Sequence, residues 1–468
     1  MGSEAMRGAG GKANKNIIIG HGESAREVTG SATDEGSQNV GIGHSVLRYL
    51  TTGTANVAIG YQANYSTTTG DFNVSMGRQA LSSNTTGTWN VALGDQALIY
   101  AGDGTSSPTG SIAIGYQAGK YPEGSYNTWV GYSAGRGATA IRTSNLNTAI
   151  GREALSKTQS DTENVAIGAA ALEESTAGHL NVAIGRAALR KSLTANRNTA
   201  VGYSSMYYYT GTSNTYNTAL GCNSLLNLTT GVNNTVLGAS VAGHSVTTGG
   251  NNTFVGYEAG KTVTGNYNTI IGTEAAQAAT DIDNDVIIGR QAAGGATYTG
   301  GNSVIIGWTA GYDLTSGYEN TIVGYRAGEN MTTARKNVIL GSMAAFSLNT
   351  LGDGNVVIGE QALYTASATN GTIAIGQYAG YKFNSDAGNV YIGSIAGRYD
   401  TGANNVAVGA GSLAKEAIPA GAGGSNNIGI GNDAGNNQQG DGGVFIGFQA
   451  GKAPSSTTST GDYNIAIG

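Results

Sequence analysis

Cysteine is almost absent from this 468-residue chain: Cys222 stands alone, so no disulfide can form within it. The fold must therefore be held by hydrogen bonds and packing. Low cysteine content suits assembly in a reducing compartment and leaves later extracellular life open. Charge is scarce as well. Asp, Glu, Lys and Arg make up 12% of the residues, the net charge is −6, and the basic residues form no patch, which argues against a nucleic-acid partner. No apolar run reaches the roughly 18 residues that a membrane-spanning helix needs, so no membrane insertion is expected. The opening MGSEAMRGAGGKANKN has no apolar h-region and does not read as a signal peptide. Helical periodicity is also missing. The 77 glycines break every window, and the apolar period is two rather than 3.6.

What the chain does have is one unit repeated from end to end. NVAIGYQA at Asn56–Ala63 is typical, NIIIG at Asn16–Gly20 is the first core and NIAIG at Asn464–Gly468 the last. There are 26 cores ending in Gly, with 17 residues as the commonest step, as in Gly43, Gly60, Gly77 and Gly94. Fixed-period self-similarity signals a solenoid. The pattern predicts an all-β parallel β-solenoid of about 26 coils, with 1–15 as a flexible leader and 16–468 as a single repeat array. At about 4.8 Å per coil such a stack would be on the order of 120 Å long.

The residue before the core Gly is Ile, Val, Leu or Met76, and the residue three before it is Val, Ile or Thr, in all 26 copies. Being two apart they share one strand face, and their β-branched character suggests that this face is the core. The residue between them, often Ala, then points to a second apolar face that suits a partner chain. Asn opens the strand in 21 copies and is expected to form a hydrogen-bonded ladder from coil to coil. The invariant Gly points to positive φ or close backbone approach. Ala stands three residues after it in 19 of 25 complete copies, followed by Leu or Gly nine times each; these turn the corner with small or inward-facing groups.

Several steps depart from the regular length. Gly20–Gly43, with Glu23, Arg26, Glu27, Asp34 and Glu35, suggests an atypical capping coil. Ala101–Thr109, Arg136–Asn145, the step holding Tyr207–Tyr209, the step with Ile418–Pro419, and Pro454–Thr460 are expanded. A strand left unpaired at Gly468 predicts that the chain continues or that another domain follows.

NVAIG, NTAIG and NTALG followed by xxA resemble the head repeats of trimeric autotransporter adhesins. The longer forms NTAIGREAL and NVAIGYQA with TTG-type connections resemble repeats of phage tail-fibre and related virion-adhesin proteins. The resemblance spans Asn16–Gly468. It implies a left-handed parallel β-roll, a homotrimer, an extracellular place on a virion fibre or cell surface, and a glycan or protein receptor. The adhesin-head period is shorter than 17. A membrane-anchor barrel and a coiled-coil stalk are both missing, which favours a fibre segment.

Enzyme signatures dissolve into the repeat. GYSAG at Gly131–Gly135 matches a nucleophile elbow, but the same register gives GYQAG, GYEAG, GYRAG and GFQAG elsewhere. GIGNDAG at Gly429–Gly435 is likewise the repeat rather than a dinucleotide loop. Asp281, Asp283 and Asp285 alternate as cation ligands would, yet read more simply as a solvated turn. His21, His44, His179 and His244 have no zinc-ligand spacing. No catalytic residue, cofactor or metal is therefore expected.

Candidate recognition residues are aromatic. Tyr61, Tyr116, Tyr132, Tyr203, Tyr257, Trp308, Tyr325 and Phe448 directly follow the core Gly, and stacking from coil to coil would make a stripe suited to sugars or to interchain packing. Tyr207, Tyr208 and Tyr209 are the best single candidates for an exposed patch. The function expected is a structural, adhesive fibre segment that displays loops for attachment to a host. The alternatives are a monomeric solenoid binding ice or polysaccharide, and a glycan-degrading spike.

Overall fold

A computed structural model of the chain describes residues 15–22, 24, 36–101, 107–121, 124–137, 144–239, 242–347, 352–365, 370–382, 388–416, 424–454 and 461–468. The leader before Lys15, the charged residues of the first long step and Ile418–Pro419 lie outside them, as do parts of the other expanded steps.

Each repeat core forms a three-residue strand, ended by its glycine. The chain divides into two compact units, Met1–Asn234 and Thr235–Gly468. In the first unit twelve such strands, from Ile17–Ile19 to Thr218–Leu220, stack as a parallel sheet; in the second, fourteen run from Thr235–Leu237 to Ile465–Ile467. Neighbouring strands pair in register, like on like: Val57 with Val74, Ala58 with Ser75, Ile59 with Met76. Each unit is thus a parallel β-solenoid with one strand per coil in its main sheet, as the repeat predicts. The first unit adds a short parallel pair, Thr194–Asn196 with Thr212–Asn214, on another side of the coil.

The face assignment is the reverse of the expected one. The middle residue of each strand is buried and its β-branched flanks are half-buried or exposed. Ala58, Ala92, Ala149 and Ala183 are fully buried, whereas Ile42 and Ile150 are each 39% exposed. The reason is volume. The interior of one coil is filled by four inward positions: the mid-strand residue, the Ala three after the Gly, the residue four after it, and the residue seven after it, such as Leu50 or Leu228. Coils such as those of Ala92, Ala149 and Ala183 have room there for Ala plus one Leu, not for two β-branched side chains beside them.

Mid-strand and fourth-position residues compensate each other in size. Ala92 goes with Leu98, Ala149 with Leu155 and Ala183 with Leu189. Where the mid-strand residue is large the fourth is Gly: Trp129 with Gly135, Phe254 with Gly260, Tyr391 with Gly397, Phe445 with Gly451. A methyl on each of those glycines would run into the aromatic ring. Both Leu and Gly hold this position at φ near +50°, as in Leu155 (+49°) and Gly135 (+55°). The left-handed conformation costs a non-Gly residue about 1–2 kcal/mol, and burying a Leu contributes about 1.5–3 kcal/mol, so the strained Leu is sustained by its own burial.

The core glycine meets both expected needs. Gly60 sits at φ +131°, and a Cβ there would lie 2.5 Å from the carbonyl oxygen of Gly77 in the next coil. The Asn ladder forms as expected. The Asn56 backbone N–H and Nδ2 both donate to Asn39 Oδ1 (2.9 and 3.1 Å), and Nδ2 also reaches the Gly70 carbonyl at 2.8 Å. The same pattern continues through Asn73 and Asn90, and again through Asn147, Asn164, Asn181 and Asn198. These buried amides are satisfied by neighbouring coils, as buried polar groups must be.

Candidate functional site

With the small residues turned inward, the outward face of the sheet is apolar. Two positions per strand, Val, Ile or Thr and then Ile, Val or Leu, form parallel rows along each unit. In the first unit Ile42, Ile114, Ile150, Ile184 and Leu220 are all more than a third exposed. The row of residues five before the core Gly adds Phe72, Trp89, Tyr126, Leu146, Leu180 and Tyr216, all exposed. These take positive φ between +49° and +60°, a conformation uncommon for bulky residues. On the other flank stand the residues just after the Gly. Soluble monomers seldom expose contiguous apolar patches beyond roughly 600 Å², so the two apolar rows of each strand, flanked at intervals by exposed aromatic residues, make this face the candidate interaction surface.

Residues after the core Gly do stack, in short columns. Tyr116 and Tyr132 lie 5.3 Å apart at 21°, and Trp308 and Tyr325 5.3 Å apart but tilted. Tyr61 closes a column with His44 and His21. Arginines interrupt the row and cover some rings: Arg186 lies over Tyr203 and Arg290 over Trp308. A second set of columns lies five or six residues after the Gly, including Tyr100 on Tyr121 at 5.0 Å and Phe346–Tyr364–Tyr381.

The Tyr207–Tyr209 cluster is split by the fold. Tyr208 is exposed and Tyr207 half-buried, edge to face at 4.6 Å. The Arg190 guanidinium donates to the Tyr207 hydroxyl at 3.0 Å. Tyr209 falls on the seventh, inward position, is fully buried, and donates its hydroxyl to the Gly231 carbonyl at 3.3 Å. It cannot belong to an exposed patch.

Asp281, Asp283 and Asp285 do not converge. Asp283 faces out and accepts from the Asn266 backbone N–H, while Asp285 occupies the Asn-ladder position inside the core. Its Oδ1 accepts from the Ser303 backbone N–H at 2.8 Å and from the Tyr298 hydroxyl at 3.4 Å, and its Oδ2 has no partner. Burial pushes this carboxyl up to about 7, against those hydrogen bonds. Ser133 of GYSAG is a buried turn residue at φ +53° whose backbone N–H donates to the Tyr116 carbonyl, in the register occupied elsewhere by Gln62 and Gln79.

Two ladders went unread in the sequence. Residues six before the Gly accept from backbone N–H groups of the preceding coil: Asp71 Oδ1 from Thr54, Asn145 Oδ1 from Ser125, Asn196 Oδ1 from His179. Gln79, Gln96 and Gln117 each donate to the Gln one coil before. The recurrence of Asp or Asn, and of Gln, in fixed register was the available signal.

No family model matches the chain, and no curated protein matches it.

Proposed function

We propose that this chain is a structural and adhesive segment, the shaft or head of an extracellular surface or virion fibre. In this reading three copies pack through their outward β-branched rows and present the connecting loops to a cell-surface receptor. One observation carries it: the outward residue three before the core Gly is β-branched in every coil, and the outward residue just before the Gly is Ile or Val in 21 of the 26, although the interior does not need them. A surface free in water has no use for such constancy. A second copy carries the same rows at the same spacing and can interdigitate with them along its length, so each coil adds to the contact. The resemblance to trimeric adhesin and tail-fibre repeats points the same way. Light scattering of the purified chain tests it. A native mass about three times that of the chain is expected, and a monomer would overturn the assembly.

A second reading draws on the reversed faces. The eight strands that open with Thr, among them Thr199, Thr218, Thr253 and Thr269, carry it on the outward face. A monomer with outward Thr and Val rows could instead meet ice or a flat polysaccharide. Thermal hysteresis from a monomeric chain would favour that reading.

A further inference from the structure

We propose that a notch between the coils of Gly131 and Gly151 binds an anionic pyranose, a sugar ring bearing a carboxylate or sulfate. The proposal rests on the attachment reading above and names the ligand class for one site.

The notch arises from a break in the backbone ladder. Six residues after the core Gly, a regular coil donates its N–H to the following coil: Tyr100 to the Lys120 carbonyl, Tyr121 to the Arg136 carbonyl, Lys157 to the Glu173 carbonyl. In the Gly131 coil that position is Gly137. Among the described residues no hydrogen bond joins it to Ser156. The coil also has Gly135 where its neighbour has Leu155, because Trp129 fills its core. A cavity of about 460 Å³ opens there, lined by Tyr121, Tyr132, Arg136, Glu153, Lys157 and Glu173 among others.

Its walls suit a sugar. Tyr132 is 51% exposed and Tyr121 half-buried, and each is braced by a ring of the preceding coil, Tyr116 at 5.3 Å and Tyr100 at 5.0 Å. Rings held in this way give stacking area with little ordering cost on binding. The charges are unequally free. Glu173 is paired with Arg190 at 2.6 Å and Glu153 with Arg152 at 3.3 Å. Lys157 lies 3.9 Å from Glu174. Arg136 is exposed and forms no ion pair among the described residues. A guanidinium offers paired donors that match a carboxylate or sulfate, while Glu153 remains an acceptor for ring hydroxyls. Aromatic faces beside an unpaired Arg select a ring that carries an anion over a neutral ring.

Calorimetric titration of the purified full chain tests this, with a galacturonic acid oligomer, a sulfated galactan oligomer and a neutral galactan oligomer as probes. The expected result is binding of one or both anionic probes, at least tenfold weaker binding of the neutral one, and a loss of about tenfold or more in Arg136→Ala, the scale of a hydrogen bond to a charged group. Tyr132→Ala should weaken binding severalfold, and Tyr318→Ala, a half-buried tyrosine outside the notch, should leave it unchanged. The two anionic arms tell carboxylate from sulfate. No binding of either anionic probe, equal binding of the neutral one, or retained affinity in Arg136→Ala would overturn the proposal. The notch lies within one chain, so a monomeric mass would sink the assembly and leave this result readable.

Discussion

At the scale of single residues, Asp285 is the sharpest departure from the repeat. An Asn there would donate as well as accept; the Asp leaves one oxygen unpartnered in the core. Its folded pKa, near 7, lies above the unfolded value near 3.8. The folded state therefore holds the proton between those values. Its stability is complete below about pH 4 and falls as pH rises through 7, by up to roughly 4 kcal/mol for a shift of this size. Asp283 and Tyr298 are the ionisable neighbours that act on it. Asp285→Asn should raise the urea midpoint at pH 8 and flatten its dependence between pH 5 and 8. An unchanged pH profile would show that the carboxylate is relieved in some other way.

The pairing of Trp129 with Gly135 makes a second residue-scale prediction. Gly135→Leu should destabilise by collision alone, because Leu155 holds the same left-handed φ one coil on. Trp129→Ala should cost about 3–5 kcal/mol through the cavity it leaves. The double variant restores the Ala-with-Leu pairing of the following coil, Ala149 with Leu155. It should recover much of both losses, a coupling that a double-mutant cycle on urea midpoints would read.

At the scale of the coil, the ladders matter more than the strands, which are only three residues long. Asn164 Oδ1 accepts from both the backbone N–H and Nδ2 of Asn181, and its Nδ2 donates to the Gly178 carbonyl. Asn164→Ala would leave the buried Asn181 backbone N–H without its partner, at about 1–3 kcal/mol, while Asn181 Nδ2 keeps the Ala195 carbonyl and the Gly178 carbonyl keeps the Thr162 N–H. Hydrogen exchange should then show lost protection at Asn181 and its neighbours first, because each coil leans on the next. Much of this coil was legible in the sequence: the period, the strand, the glycine's two duties and the Asn ladder. The facing of the strand was not, although a period of two offers only two choices. Hydrophobicity ranked Ile and Val as interior and Ala as neutral, and the narrow coil reverses that ranking. The clue lay in the pairing of Trp129, Phe254, Tyr391 and Phe445 with Gly four after the core Gly, and of Ala with Leu. Such compensation occurs only between side chains that share an interior. Tyr209 was misread for the same reason, since the seventh position was not recognised as inward.

At the scale of the molecule, the question is what covers the outward rows. Ile150 and Ile184 lie on that face, more than a third exposed in one chain. Replacing both with Lys would cost an isolated chain little, because substitutions at exposed strand positions stay within about 0.5 kcal/mol. Between packed copies the same change would bury two ammonium groups per chain in an apolar contact, where an unpaired charge is strongly disfavoured. The two situations therefore separate cleanly. The proposed assembly predicts that Ile150→Lys/Ile184→Lys keeps the β-type circular dichroism of the parent while its mass by light scattering falls toward that of one chain, or that its threefold mass becomes unstable to dilution. A double variant that remains as large and as resistant to dilution as the parent would place the contact on another face, and the β-branched rows would need a different partner.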